Sequence, residues 1–509
     1  MSHTSARPAR YGATLTAACL AVTVAQVAYS LPGALNGTFQ QVFDINGAQL
    51  TWISAAFATC MVIFELTFGV IGDLFGRKRL LLGGTVLVVI GAALCLDAHS
   101  VHLMIVGQAV AGIGAGALYP ISLAMIAAVA PDLQARTKAI ALWAGFLSIG
   151  AAISPLMAGL FAKYGSWRGA YGVVIGAAVI SFLVSLRAKD SRAPEGRKLD
   201  IPGQATLAVG LVALLWALTQ GSADGFLKGQ IVLGYVIAAV FLAAFVAIEL
   251  RTASPLLHLN LFANRAFAIS GITAVVGMFA FLGTCYSMSI WLGAVQHVEA
   301  LKIGILFLFI QVPAFLLVPV VSRLIHRVSP RWVLTGGFAL IAVAGFWCST
   351  FEITTATWTA FISPLLCLGL GFALTVGSIT AVALNTVAPN LAGMASATTN
   401  LLRDFGFALG PVLIGAVGTS LANSKLDKGL NQALATSGLD QAHAGAAAGI
   451  ARQGGAFAIN SLQVVPGQTP VPMPASLHQL AFTSLGSAGN IGLLACGICA
   501  LASAALTLL

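Results

Sequence analysis

The sequence predicts an all-α membrane protein of fourteen transmembrane helices, arranged as two pseudo-symmetric six-helix bundles with two further helices inserted between them. Three observations carry that reading. First, the 509 residues are 59% hydrophobic and only 8% charged, against roughly a quarter charged in a soluble domain, and the mean hydropathy is +0.95. So few charges cannot cover a water-exposed surface, which excludes a cytosolic enzyme, a secreted disulfide scaffold and a disordered chain. Second, mostly apolar runs of about 20 residues, the length that crosses hydrocarbon, recur along the whole sequence. Third, short landmarks in the first half return in the second at a nearly constant offset.

The apolar runs fall at 12–34, 50–72, 80–97, 103–129, 139–162, 169–187, 203–220, 229–250, 266–292, 302–323, 332–349, 357–384, 395–420 and 487–508. The long runs 103–129 and 357–384 contain no polar break, so each is one span. Helices are expected rather than strands, because backbone in lipid must satisfy its own hydrogen bonds and no period-2 alternation is present. The first run is too long for a cleavable signal peptide and is followed by many more. The eight cysteines all lie in apolar runs; Cys496 and Cys499 have C-x-x-C spacing but no basic neighbour, and read as small packing residues.

The net charge of +10 sits mainly in short loops. With the N-terminus inside, the inside loops collect Arg77, Lys78, Arg79, Arg136, Lys138, Arg187, Arg251, Arg323 and Arg327, and the outside loops hold fewer cations. That asymmetry is the positive-inside pattern, not a nucleic-acid footprint. It predicts a multi-pass protein of the cell membrane with both termini cytoplasmic.

Residues 12–187 then form the N-terminal bundle, 188–202 a cytoplasmic linker that is basic and Pro/Gly-bearing, 203–250 the inserted pair, and 266–508 the C-terminal bundle. The stretch 421–486 is rich in Ala, Gly and Gln and reads as a partly disordered outside loop, with a short helix at 428–452.

The internal repeat rests on three landmarks. VAPDL at 129–133 returns as VAPNL at 387–391, 258 residues on. Each follows a Gly-rich helix, with Gly112-Ile-Gly114 matched by Gly369-Leu-Gly371. Each precedes a helix with a mid-span proline, Pro155 and Pro411, 256 residues apart. Such prolines bend a helix and free a backbone carbonyl. Two similar bundles in lipid suit a rocking transporter.

Residues 69–79 read GVIGDLFGRKR at the inside end of the second span. Gly69 and Gly72 permit close helix approach, and Gly76 a tight turn. Asp73 sits where the N-terminus of a facing helix can hold it, and Arg77 is placed to bridge to a carboxylate, with Asp132 the candidate. This segment resembles the G-x-x-x-D-x-x-G-R-[KR] signature of the major facilitator superfamily. The second copy, SRLIHRVSPR at 322–331, is degenerate, with His326 in the place of Asp73. LDIPGQA (199–205), ELRTASPLLHLNLFANRAFA (249–268) and GMASATTNLLRDFGFALG (393–410) are similar to segments of the fourteen-helix drug:proton antiporters of that superfamily. The resemblance implies a proton-coupled exporter of small apolar or amphipathic compounds, with an inside gate built from Gly69, Gly72, Asp73, Gly76, Arg77, Asp132 and Arg403. The sequence departs from the family at three places. Thr23 stands where the first span often carries an acid, Gln108 replaces the arginine of the fourth span, and the fifth-span motif survives as Gly150, Ser154, Pro155 and Gly159. A facilitator or importer of an organic acid, without proton antiport, is therefore the alternative.

Charges inside spans are costly and mark function by default. Glu65 lies about two helical turns from Asp73, roughly 12 Å into the membrane. Its readings are a proton-coupling carboxyl or a structural hydrogen bond. Asp404 is the second proton-coupling candidate, alternatively part of an inside-gate charge network with Asp73 and Arg77, or a structural partner. Adjacent helical residues point about 100° apart, so Arg403 and Asp404 are not expected to pair with each other. Gln26, Gln108 and Gln311 either line a cavity or bridge helices. Tyr29, Trp52, Tyr119, Trp143, Tyr286 and Trp291 offer aromatic walls for an apolar substrate or belong to an interfacial belt. Gln26, Tyr29, Gln108, Tyr119, Trp143 and Gln311 make up the expected substrate site. GIGAG at 112–116 has no preceding strand and reads as helix packing, and no Walker-type sequence is present. The expected partners are a small-molecule substrate, protons and lipid, with no nucleic acid, metal, cofactor or catalytic residue, and a monomer suffices.

Overall fold

The computed structural model describes residues 11–192, 199–252, 255–352, 356–387, 392–438, 440–461 and 474–508. The expected linker centre at 193–198, the end of the VAPNL repeat at 388–391 and residues 253–254 of the 249–268 segment lie outside them. The helices α1 (Tyr11–Ser30), α2 (Pro32–Phe43), α3 (Gly47–Phe75), α4 (Arg77–Leu96), α5 (Val101–Val129), α6 (Leu133–Tyr164) and α7 (Arg168–Ser185) come first. An antiparallel pair follows, α8 (Ile201–Asp224) and α9 (Gly229–Glu249). Then come α10 (Arg265–Ser289), prolonged by a π-helical turn over Ile290–Val295, α11 (Ala300–Leu316), α12 (Val318–Arg327), α13 (Pro330–Ser349) and α14 (Ile362–Leu384). The chain ends in α15 (Ala392–Ala435), α16 (Gln441–Ser461) and α17 (Ala475–Leu506). Among the described residues, 13 helices are long and apolar enough to cross a membrane, or 14 if the bent pair α11–α12 counts as one.

Local chemistry sets the helix ends. Asn46 and Gln49 form a capping box at α3, with Asn46 Oδ1 accepting from the Gln49 amide at 2.9 Å. Ser100, Asp132, Asp200 and Asn264 cap α5, α6, α8 and α10 with their side chains. Gly76 turns the chain from α3 into α4 at φ +111°, a backbone state open to glycine.

Two stretches differ from expectation. The run 302–323 is not one straight helix: it bends by 40° between α11 and α12, where Pro319 withholds an amide from the ladder. The stretch 421–486 is largely helical rather than a loop. α15 continues to Ala435, α16 runs from Gln441 to Ser461, and α17 starts at Ala475, leaving 462–473 outside the described residues. The helix expected at 428–452 is interrupted near Gly438, at φ +70°. The alanine-rich composition there suits coil as well as helix, and alanine is the strongest helix former.

The repeated landmarks have repeated packing. A methyl on Gly112 would strike the Phe57 backbone of α3, and one on Gly369 the Ile310 backbone of α11. Gly114 and Gly84 abut backbone to backbone between α5 and α4, as Gly371 and Gly337 do between α14 and α13. Gly150 lies on Thr23 of α1, and Gly406 on Val275 of α10. With no hydrophobic drive between helices in lipid, such close approach is what holds them. Between the two sets of helices, α6 crosses α11 and α3 crosses α15, while α8 lies against both α3 and α15.

The sets meet tightly at one end. Gly37 of α2 rests on the Gly293 backbone, Asn36 Nδ2 donates to Ser289 Oγ at 2.9 Å, and Ser289 Oγ bonds the Gly33 carbonyl. Thr51 and Tyr286 hydroxyls lie 2.9 Å apart, and Lys163 reaches Glu299 at 3.2 Å. α16 adds a brace: Gln40 Nε2 donates to the Phe457 carbonyl at 2.9 Å, and Asn460 Nδ2 to the Ala294 carbonyl at 3.0 Å. At the basic end, where Arg77 and Arg323 lie, Leu142 of α6 and Leu316 of α11 are exposed. Gly112→Val and Gly369→Val should each destabilise the protein by about 1–3 kcal/mol, seen as a lower thermal midpoint in detergent. Gly83→Val, where a side chain meets open space, should leave the midpoint within experimental error.

Candidate functional site

The middle of the molecule is built from four helices. α3 carries Glu65 into the interior, 9% exposed, and α15 brings Asp404, 5% exposed, to meet it. Because α3 and α15 pack together, the two carboxyls lie close enough to feel each other's charge, with Arg403 beside them. Arg403 closes on its neighbour, with Nε to Asp404 Oδ1 at 2.9 Å and Nη2 to Oδ2 at 3.2 Å. α1 and α5 form the opposite wall. The Tyr119 hydroxyl donates to Gln26 Oε1 at 2.7 Å, and Gln26 Nε2 donates to Ser30 Oγ at 2.9 Å. Tyr29 of α1 packs on Phe57 of α3, with ring centroids 5.4 Å apart. The second Glu65 oxygen, Oε2, and the Tyr29 hydroxyl are buried with no hydrogen-bond partner among the described residues.

A cavity of about 90 Å³ continues from Tyr29 towards the sealed end. Its walls include Tyr29, Ser30, Asn36 and Pro155 from the first helices and Cys285, Tyr286, Ser289, Phe307 and Pro411 from the later ones. A pocket for a drug-sized ligand occupies about 300–1,000 Å³. The cavity as it stands is too small for such a guest, which requires the two sets of helices to part.

The expected substrate residues divide. Gln26, Tyr29 and Tyr119 converge on the central cluster. Gln108 does not: its Nε2 donates to the Tyr171 hydroxyl at 3.0 Å, inside the first set of helices, and the residue is 1% exposed. It bridges α5 to α7, the helix-bridging option for a buried glutamine. Trp143 Nε1 donates to Ser122 Oγ at 2.9 Å, holding α6 to α5. Gln311 is half-buried on α11 and lines neither this cavity nor a smaller one around Trp291. Pro155 and Pro411 both line the cavity. The reading from sequence missed Asn36, Ser289 and Cys285. Asn36, a polar residue directly after the first apolar run, was the available signal.

The gate residues also need correction. Arg77 pairs with Asp73, its Nη2 2.8 Å from Asp73 Oδ1, and its Nη1 reaches the Ala124 carbonyl at 3.4 Å. It does not bridge to Asp132, whose Oδ1 is taken by the Ala135 amide at 2.7 Å as the cap of α6. Asp73 is likewise held by a side chain and not by a helix terminus. Gly72 lies under Ile121, but Gly69 faces open space and brings no helix close. Arg403 and Asp404 do pair, against expectation: the 100° rule fixes Cβ directions, and the long arginine stem folds sideways over its own helix. With Asp404 bound to Arg403 and Arg77 to Asp73, the two pairs are separate and the predicted network between them does not form.

Residues 18–411 match the family model described as Major Facilitator Superfamily. Multidrug resistance protein Stp of Mycobacterium tuberculosis is 27% identical over 396 residues, covering 78% of this chain and 73% of that protein. Multidrug resistance protein 3 of Bacillus subtilis is 27% identical, covering 74% of each chain. The methyl viologen resistance protein SmvA of Salmonella typhimurium is 26% identical, covering 74% and 76%. Among solved structures, a bacterial homologue of the human lysosomal transporter Spinster superposes with a TM-score of 0.61 at 16% identity, covering 98% of this chain and 96% of that one.

Removing one member of a buried ion pair strands the other charge, at a cost of about 3–5 kcal/mol. Asp404→Leu and Arg403→Met should therefore each lower the thermal midpoint. The double variant should recover part of that loss, because the Glu65 carboxyl that remains can stay protonated and neutral.

Proposed function

We propose, because the chain belongs to the Major Facilitator Superfamily, that it exports small apolar or amphipathic compounds by alternating access, driven by protons that enter through Glu65 and Asp404. The family makes it a multi-pass membrane transporter of small molecules and not an enzyme. The finer reading, drug efflux coupled to protons, is supported by relatives named for multidrug or methyl viologen resistance. In this reading the basic end faces the cytoplasm, as the positive-inside pattern favours, and both termini are cytoplasmic. The bodies that rock are 12–187 and 266–508, and a monomer carries out the cycle.

The observation that carries the proposal is the Glu65–Asp404 contact between α3 and α15. Two carboxyls held close together in a dry interior are relieved of their mutual repulsion when one of them carries a proton. Protonated, the pair holds the two bodies together at mid-depth while Arg403 holds Asp404. When the proton leaves, two carboxylates face each other beside one arginine, and in a medium of low dielectric that repulsion is large. The contact then favours parting of α3 from α15. A proton arriving from one side and leaving to the other thus shifts the population of two arrangements. The aromatic walls of Tyr29, Tyr286 and Phe307 suit apolar guests once the cavity widens.

One observation favours a second reading. Arg403 keeps 21% of its side chain exposed, which suits recognition of an anionic substrate by a facilitator. A pH jump across proteoliposomes separates the two, since a facilitator moves substrate without counter-movement of protons. Efflux of a cationic dye from proteoliposomes should follow the proton gradient, and Glu65→Gln should abolish the gradient dependence while dye binding and the thermal midpoint persist. Gradient-driven efflux by Glu65→Gln at the native rate would remove Glu65 from the coupling.

A further inference from the structure

A second buried carboxyl pair lies away from the central site, where the α8–α9 hairpin begins and ends. Asp200 caps α8, its Oδ1 accepting from the Gly203 amide at 2.8 Å. Glu249 ends α9, and its Oε2 accepts from the Leu257 amide, in the connector to α10, at 3.0 Å. The other two oxygens, Asp200 Oδ2 and Glu249 Oε1, have no hydrogen-bond partner among the described residues, although the residues are only 6% and 4% exposed. A methyl built on Gly203 would lie 2.5 Å from the first and 2.8 Å from the second. The two orphaned oxygens therefore converge on one point, beside the residue that leaves them room.

The charged group that faces Glu249 is Asp200. Among the described residues no lysine, arginine or histidine pairs with either carboxyl, and Arg251, which follows Glu249, is exposed. Where α8 meets α3 one turn beyond Asp200, the bonded polar side chains are Thr67 and Gln204, which are neutral. Arg197 and Lys198 precede Asp200 in sequence and lie outside the described residues. Two facing carboxylates, both buried and both charged, would carry a desolvation cost that no cation among the described residues offsets through an ion pair. One proton removes the conflict, because a protonated carboxyl donates to a carboxylate in a short, charge-assisted bond that satisfies both orphans.

We infer that Asp200 and Glu249 form a proton-binding site, a single proton held between Oδ2 and Oε1, which clamps the inserted hairpin to the connector that leads into α10. The clamp touches the rest of the machine. One turn beyond Asp200, Gln204 Nε2 donates to the Ile63 carbonyl at 2.7 Å and its Oε1 bonds Thr67, and these two residues flank Glu65. Farther along α8, Leu215 packs with Ala55 of α3 and Val412 of α15. Loss of the proton sets two charges against each other, loosens the Leu257 anchor and relaxes the grip of α8 on the Glu65 helix. The site is independent of the transport reading, since its argument uses no substrate and no gradient.

Infrared difference spectroscopy of the purified full chain, combined with amide hydrogen exchange, tests this. At neutral pH one protonated-carboxyl stretching band should vanish in both Asp200→Asn and Glu249→Gln and persist in Glu65→Gln. In the native protein that band and the protection of the Leu257 amide should be lost together as pH rises, after correction for intrinsic exchange. In Glu249→Gln, whose amide donates at every pH, the protection should not change with pH. If one variant fails to fold, the other and the native titration decide. The inference is overturned if neither substitution removes a protonated-carboxyl band, if Leu257 protection in Glu249→Gln follows pH as in the native protein, or if added sodium ions replace the proton in restoring protection at high pH.

Discussion

The structure turns on one contact: a glutamate and an aspartate from helices on opposite sides of the molecule, meeting where water is scarce. Glu65 and Asp404 are almost fully buried, and among the described residues Arg403 is the cation beside them. In water such a contact would be worth little. At low dielectric its energy depends steeply on whether a proton is present, which makes it a natural place for a two-state element. Everything around it serves to keep it dry and aligned. The glycine contacts bring helices to backbone distance, and the polar seal around Gly37, Asn36 and Ser289 shuts one end. The capped starts of α3, α5 and α6 fix the register of the side chains that face inwards.

The seal and the cluster divide the labour. The seal consists of neutral hydrogen bonds and glycine contacts, each modest and each reversible. The cluster consists of charges, whose balance changes by large steps. A transporter needs both kinds of interaction: a gate cheap enough to break and a trigger strong enough to decide when. The brace from α16 spans the two sides at the sealed end through Gln40 and Asn460, so parting the halves there also means releasing α16.

Much of this was legible in the sequence, for identifiable reasons. Composition and run length disclosed the helical membrane class, because lipid leaves few alternatives. The Gly-x-Gly landmarks disclosed the repeated packing, because a missing side chain is written directly in the sequence. Glu65 and Asp404 stood out because charge in an apolar run is rare. Partner choice was less legible. Arg403 turned to its own neighbour and Arg77 to Asp73, because long side chains reach sideways in ways that helical angles do not encode. Asp132 was drawn to its helix cap, a local bond that outcompetes a distant one. Gln108 and Gln26 are the same residue type in similar runs, yet one bridges helices and the other faces the centre, which depends on the rotation of each helix and not on composition. The helical hairpin formed by the end of α15 and α16 was obscured because its alanines, glycines and glutamines suit both helix and coil.

The central claim is that the protonation state of the Glu65–Asp404 contact sets how far apart the two sides stand at the basic end. Pulsed electron-electron double resonance between spin labels on cysteines replacing Leu142 of α6 and Leu316 of α11, both exposed at that end, measures that separation directly. The account predicts a distance distribution that shifts between acidic and alkaline pH in the otherwise native protein and stays fixed in the Glu65→Gln background. An identical pH-dependent shift in both backgrounds would contradict it.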